Sequence, residues 1–186
     1  LYEGKAKKVF ATEDPNVVIV DYKDDATAFN GIKKGTIVGK GVINNRMSNH
    51  MMRKLEAEGI PTHLIEELSE RETAVKKVTI VPKRYGVEEG IVFDEPTIEF
   101  SYKNDDLGDP LINAYHAAAL KLATWAEIDQ IKDYAFRINT LLKGFLKSVG
   151  IDLVDFKLEF GKTADGQIVL ADEISPDTCR LWDETT

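Results

Sequence analysis

Cysteine, histidine and long apolar runs are scarce or absent in this chain. Cys179 is the one thiol in 186 residues, which excludes an intrachain disulfide and predicts a reducing, cytoplasmic setting. It reads as a structural residue rather than a nucleophile, because the nearest histidine in sequence, His116, is far along the chain. His50, His63 and His116 are the three histidines, and their spacing suits no metal site. No apolar stretch approaches the roughly 18 residues of a membrane span. No signal peptide opens the chain, and Leu1 is already strand-like, which predicts that a short N-terminus is missing from it. Basic residues are outnumbered, 24 to 32, for a net charge of −8. That balance argues against a chain held on nucleic acid or anionic lipid by bulk charge, while leaving room for a small basic pocket for phosphate.

What the chain does contain is a globular mixture, 43% hydrophobic and 30% charged, long enough for one compact unit or two tightly joined lobes. Residues 1–30 read as strands around an Asp14-Pro15-Asn16 turn. The spacing of Val42, Ile43, Met47, Met51 and Leu55 predicts a helix over 38–58 with that apolar face inward, closed by Gly59 and Pro61. Strands are expected over 63–67, 74–81 and 97–103. One helix is expected over 110–122. A longer one over 126–149 carries Ile131, Ala135, Ile138, Leu142 and Phe145 as its inward stripe, with Gly150 as its stop. Strands first, helices in the middle and strands again favour an α+β fold over a doubly wound sheet.

The last hairpin carries the first chemical signal. In DFKLEF, Phe156, Leu158 and Phe160 alternate with Asp155, Lys157 and Glu159, so one face meets a core and the other is charged. If Asp165-Gly166 centres a two-residue type I′ turn, Ala164 pairs with Gln167 and Glu159 falls opposite Asp172. Two carboxylates about 5 Å apart repel. They must protonate, splay into water or share a cation, and a divalent ion completed by substrate phosphates is one such arrangement. The same charges would also keep a solvated sheet edge soluble, and a one-residue slip would undo the pairing; on this segment alone both readings stand.

A second signal lies at the start. LYEGKAKKVF sets Gly4 at the end of a short strand, with Lys5 and Lys7 on one face if the strand continues. That suits a cover over nucleotide phosphates, and equally an exposed basic hairpin. It is neither a Walker A loop nor a G-x-G-x-x-G fingerprint, and GTIVGKG (35–41) has the wrong glycine spacing for one.

Six motifs, LYEGKAKKVF, DDATAFNG, GKGVINN, NDDLGDP, VDFKLEFG and DEISPDTCRLWD, follow one another in the order seen in SAICAR synthetases of purine biosynthesis, and the resemblance covers essentially the whole chain. It implies an α+β fold whose β-rich N-terminal lobe, distantly similar to that of protein kinases, binds ATP and packs on a helix-plus-hairpin second lobe. Lobes over 1–82 and 83–186 would form one catalytic unit. It implies an ATP-dependent ligase joining L-aspartate to the carboxylate of carboxyaminoimidazole ribonucleotide through an acyl phosphate, with Mg2+ as cofactor and a homodimer as the assembly. Residue by residue, Gly4, Lys5 and Lys7 match the loop over the ATP phosphates, and Glu159 and Asp172 match the metal and nucleotide carboxylates. Lys157 and Asp155 match active-site positions beside them. Lys103 and Asp109 match a lysine and an acid at the nucleotide end of the cleft. Ser175, Asp177 and Arg180 match the turn and arginine that hold the ribonucleotide, with Arg180 on its phosphate and Asp177 a candidate to take the amine proton.

Two departures stand out. The family continues beyond VKKVTIVP with a strand ending in arginine and an Ala-Gly-Ser turn that help bind the ribonucleotide; here Pro82 runs directly into Lys83-Arg84-Tyr85-Gly86. Either those residues are deleted or a flexible loop is missing from the sequence, and the matching flanks favour the second. The chain also stops at Thr186, short of the family's helical tail. Two rival readings remain open: another kinase-like phosphotransferase, although HRD and DFG are absent, and an inactive nucleotide-binding module.

Overall fold

A computed structural model describes residues 2–4, 6–28, 33–80, 96–102 and 107–185. Among them the chain runs β1 (Tyr2–Glu3), β2 (Lys7–Ala11), β3 (Val17–Tyr22), β4 (Asp25–Ala28), β5 (Lys33–Thr36), α1 (Lys40–Ala57), β6 (Leu64–Glu67), β7 (Glu72–Lys76), β8 (Thr79–Ile80), β9 (Phe100–Ser101), β10 (Leu111–Ile112), α2 (Ala114–Ala119), α3 (Trp125–Lys147), β11 (Ile151–Phe156), β12 (Glu159–Lys162), β13 (Ile168–Ala171) and β14 (Cys179–Asp183). The early strands build one five-stranded sheet in the order β1-β2-β3-β7-β6, antiparallel throughout. In β3, Val18, Val20 and Tyr22 alternate inward as a period of two requires. The boundary expected at residues 82/83 lies outside the described residues.

Helix α1 ends as its sequence predicts. Gly59 adopts φ 75°, and Ile60 N–H reaches back to the Leu55 carbonyl at 3.0 Å while Gly59 N–H bonds Glu56, the paired bonds of a Schellman stop. Its inward face keeps Met47, Met51 and Leu55 of the apolar stripe expected but is polar in its first turns. Ile43 is exposed, whereas Asn44, Asn45, Ser48 and Asn49 are buried beside Met51, Met52 and Leu55. The polar side chains are inward because each has a partner. Asn45 donates to the Ser69 carbonyl (3.1 Å) and accepts from the Thr73 hydroxyl (2.6 Å), and Asn49 donates to that hydroxyl (2.8 Å).

The middle of the chain departs from expectation in two places. Among its described residues the strand expected over 97–103 pairs only at Phe100–Ser101, against Leu111–Ile112, and the helix expected from residue 110 starts at Ala114. Asn113 is the better cap: its side chain accepts the His116 N–H at 3.0 Å, so Pro110 is left outside. Helix α3 begins after Thr124, whose hydroxyl and Glu127 form a reciprocal capping box. Its Ile131, Ile138, Leu142 and Leu146 join Leu55, Ile60, Leu153, Phe160, Leu170 and Ile174 in the main core. Full burial of each such side chain contributes about 1.5–3 kcal/mol. Phe156 and Leu158 pack against that core, so the charged side of DFKLEF faces away from it. That segment is not one strand, however. β11 pairs with β14, while β12 pairs with β13 and β8.

Candidate active site

The terminal hairpin takes a register one residue from the expected one. Thr163 and Gln167 close a three-residue loop in which Gly166 is left-handed (φ 88°), and the Thr163 hydroxyl accepts the Gln167 N–H at 3.0 Å. The extra loop residue pairs Glu159 with Ala171, not with Asp172. Asp172 leaves the strand in left-handed backbone, φ 63°, a conformation aspartate tolerates better than most residues. The two carboxylates nonetheless share one cation. Lys157 Nζ lies 2.7 Å from Asp172 Oδ2 and 3.0 Å from Glu159 Oε1.

Lys7 enters from the other half of the chain. The strand expected through Lys5 and Lys7 is broken by a turn in which Gly4 N–H bonds the Lys7 carbonyl at 2.9 Å. Lys7, first residue of β2, then ion-pairs with both Asp172 and Glu173. Burial works against the Lys7 and Lys157 ammonium ions, but the surrounding carboxylates outweigh it, and both pKa values rise above the usual lysine range. Burial likewise works to raise Asp172, yet Lys7 and Lys157 hold its carboxyl well below the usual carboxylate range. Glu173 goes the other way. Burial and the neighbouring Asp172 charge push it up to about 7, with Lys7 only partly offsetting them. His63, buried behind the cluster, is kept neutral first by burial and then by Lys7, with its pKa lowered to about 3.

A cavity of about 550 Å3 opens beside the cluster, with Lys157, Glu173, Lys40, Asn44 and Asp177 among its lining residues. Lys40 Nζ lies 2.6 Å from Asp177 Oδ2, and Asn44 Nδ2 donates to the same oxygen at 2.8 Å. Ser175 is buried, and its hydroxyl accepts the Asp177 N–H at 3.1 Å, so it shapes the turn that presents Asp177. The start of α1 is fixed by Asp24. Its carboxylate accepts the Gly39 and Gly41 N–H groups at 3.2 and 2.9 Å and pairs with both Arg71 guanidinium nitrogens at 2.7 and 2.8 Å. Arg180 stands directly across from Asp155 in the β11–β14 ladder, 3.4 Å away and largely exposed. Cys179 packs against the core, and burial pushes its thiol up to about 11, which removes it as a nucleophile at neutral pH. Asp109 lies in the β9–β10 loop with φ 53°. Lys5 and Lys103 lie outside the described residues, as does the Pro82–Lys83 junction.

Glu159 and Asp172 suit a hard divalent cation. Both are nearly buried carboxylates already held against positive charge, with the Lys157 ammonium between them where a cation's charge would otherwise be needed. Among the described residues no three Asp, Glu, His or Cys side chains form a ready metal cage, so further ligand oxygens would have to come from water or a bound ligand. Sequence reading missed Lys40, Asn44, Asp24 and Glu173. GKGVINN held the signal, because two consecutive asparagines at the head of a helix whose face turns inward need polar partners.

The whole chain, residues 1–186, matches the model of the SAICAR synthetase family. It is 62% identical over 200 aligned residues to a phosphoribosylaminoimidazole-succinocarboxamide synthase of Lachnoclostridium phytofermentans, covering 100% of this chain and 85% of that protein. The aligned span is thus longer than the 186 residues here. A solved Type-2 SAICAR synthetase in complex with ADP superposes with a TM-score of 0.91 at 45% identity, covering 100% of this chain and 84% of its own. The phosphoribosylaminoimidazole-succinocarboxamide synthase of Ehrlichia chaffeensis superposes with a TM-score of 0.92 at 45% identity, covering 100% and 86%. Sequence and fold agree: this chain belongs to the SAICAR synthetase family.

Proposed function

We infer that the cavity carries the family's reaction, with the following division of labour among this chain's residues. The chain is an ATP-dependent carbon–nitrogen ligase of purine biosynthesis, joining L-aspartate to the carboxylate of carboxyaminoimidazole ribonucleotide. The γ-phosphoryl group of ATP passes to that carboxylate, giving an acyl phosphate and ADP. The aspartate amine then attacks the acyl carbon, the C–O bond to phosphate breaks, and an amide remains.

Every participant is an anion, so the chain's first task is to screen repulsion. Lys7 and Lys157 supply that charge from opposite halves of the chain, each exchanging a carboxylate partner for phosphate oxygens. Gly4, Lys5, Lys103 and Asp109 complete the nucleotide end. A Mg2+ ion held by Glu159 and Asp172 would neutralise developing phosphoryl charge. Arg180 offers a guanidinium fork for the ribonucleotide phosphate, with Asp155 as its resting partner, and Ser175 sets the turn. Asp177 faces the cavity and is the candidate to accept the amine proton. The observation that carries this reading is Lys157 shared by Glu159 and Asp172 at the wall of one cavity that also holds Asp177.

ADP release with Mg-ATP, the carboxylated ribonucleotide and L-aspartate, omitting each in turn, tests it. A requirement for all three is expected. Release without aspartate would refute the ligase in favour of a phosphotransferase.

A further inference from the structure

We propose that Asp24 and Arg71, neither of which lines the cavity, are positioning residues for the reaction: together they clamp the head of α1, and through Lys40 and Asn44 they set where the Asp177 carboxylate lies. This rests on the ligase reading above and extends it to residues outside the site.

Helix α1 has no means of its own to hold its N-terminus. Its N-cap is Gly39, which has no side chain to accept an N–H, and its first turn contains no acidic residue. It opens instead with Lys40, a cation at the positive end of the helix dipole, where positive charge is disfavoured. Asp24, 15 residues before Gly39, supplies what is missing. Its Oδ2 accepts the Gly39 N–H at 3.2 Å and its Oδ1 the Gly41 N–H at 2.9 Å. The Arg71 fork closes on the same two oxygens, at 2.8 and 2.7 Å. Arg71 first, and the Gly41 N–H after it, hold the Asp24 carboxyl well below the usual carboxylate range, so the clamp stays charged at neutral pH.

The clamp is tied to the first sheet. Arg71 Nη1 also donates to the Tyr22 carbonyl at 3.3 Å, and the Tyr22 N–H donates to the Arg71 carbonyl at 2.9 Å. Helix and fork are in direct contact, because a Cβ on Gly41 would run into the Tyr22 carbonyl oxygen and lie 2.5 Å from Arg71 Nη1. Within one turn of Gly41 stand the two groups that grip Asp177. Lys40 Nζ and Asn44 Nδ2 both meet its Oδ2, at 2.6 and 2.8 Å. A slide or rotation of the helix head therefore moves both donors together, and the carboxylate with them. The charges around Asp172 are carried instead by β2, the β11–β12 link, β12 and the residues after β13. The clamp thus bears on the Asp177 end of the cavity, and a small displacement of a reacting group there costs rate.

The test compares Arg71→Met and Arg71→Lys with the unaltered chain in the ADP-release assay at about 25 °C, titrating each substrate and reading the folded fraction by circular dichroism. Arg71→Met keeps the apolar stem and removes the fork. Per folded chain it is expected to lower kcat about 10- to 100-fold, the loss that follows a misplacement of about 1 Å, while the KM for ATP moves less than about twofold. Its Tm should fall by only about 2–4 °C, the shift of one lost helix cap in a chain of this size. Arg71→Lys, which returns a charge to Asp24 but not the fork, should lie between the two. If Arg71→Met is unfolded in the assay, Asp24→Asn, which keeps the shape and one acceptor, carries the same expectation. A folded variant that loses Tm but keeps its kcat, or whose KM for ATP rises in step with the fall in kcat, overturns the positioning role while the ligase stands. An unaltered chain whose ADP release never depends on L-aspartate overturns the ligase reading and the positioning role with it.

Discussion

Replacing Lys157 by methionine is the sharpest probe of the cluster. The substitution keeps the length and apolar stem but removes the ammonium that lies 2.7 Å from Asp172 and 3.0 Å from Glu159. Both carboxylates are about nine-tenths buried, 9% and 11% exposed, so water cannot replace the lost charge. Removing one partner of a buried ion pair costs about 3–5 kcal/mol. Lys157 is itself 31% exposed, which argues for the lower end, about 3 kcal/mol. For a chain of this size that corresponds to roughly 6–12 °C in Tm. The variant should also become responsive to Mg2+. A cation binding the two carboxylates only in the folded state, at ten times its dissociation constant, restores about 1.4 kcal/mol. The unaltered chain, whose carboxylates already have an ammonium, should respond less. Urea unfolding of both proteins with and without 10 mM Mg2+ (about that concentration suffices for a millimolar site) measures both effects. A loss below about 1 kcal/mol, or an equal Mg2+ response in the two proteins, would refute the claim that Lys157 is the charge joining Glu159 to Asp172.

Three other perturbations follow from the geometry. Gly41→Ala would set a methyl group against the Tyr22 carbonyl oxygen and 2.5 Å from Arg71 Nη1. Such overpacking is expected to cost about 1–3 kcal/mol; a neutral result in thermal unfolding would remove the tight α1–β3 contact. His63 is neutral when folded, with a pKa near 3, against about 6.5 unfolded. Its contribution is present above pH 6.5 and is lost as pH falls, by about 2 kcal/mol between pH 7 and 5. Glu173, raised to about 7, acts oppositely, because it gains a proton in the folded state first, so the His63 share is read as the difference in slope between the unaltered chain and His63→Gln. Identical slopes in urea unfolding would mean that His63 is not buried and neutral. Arg180→Ala removes an exposed ion pair to Asp155 and should change stability by no more than about 1 kcal/mol. It should raise the KM for the ribonucleotide far more than that for ATP, and equal rises would mark a structural arginine.

The sequence by itself determined the α+β order, the helix stops at Gly59 and Gly150, and the charged and apolar faces of DFKLEF. These rest on local physics: a left-handed residue ends a helix, and alternation sorts a strand's faces. Its motif order also determined the family. What only the tertiary structure decided is how the charges meet. The hairpin register turned on whether Thr163 would close a three-residue loop, a choice separated by one residue and settled by side-chain hydrogen bonds. The inward face of α1 was decided by partners 24 and 133 positions away, Thr73 for Asn49 and Asp177 for Asn44. Periodicity registers how apolar a face is, not whether distant donors and acceptors will satisfy a polar one. For the same reason Lys7 could be read as a loop lysine but not as the counter-ion of Asp172, 165 residues on. That pairing exists only once the first sheet and the last hairpin are brought together, and the site's electrostatics are a property of that meeting.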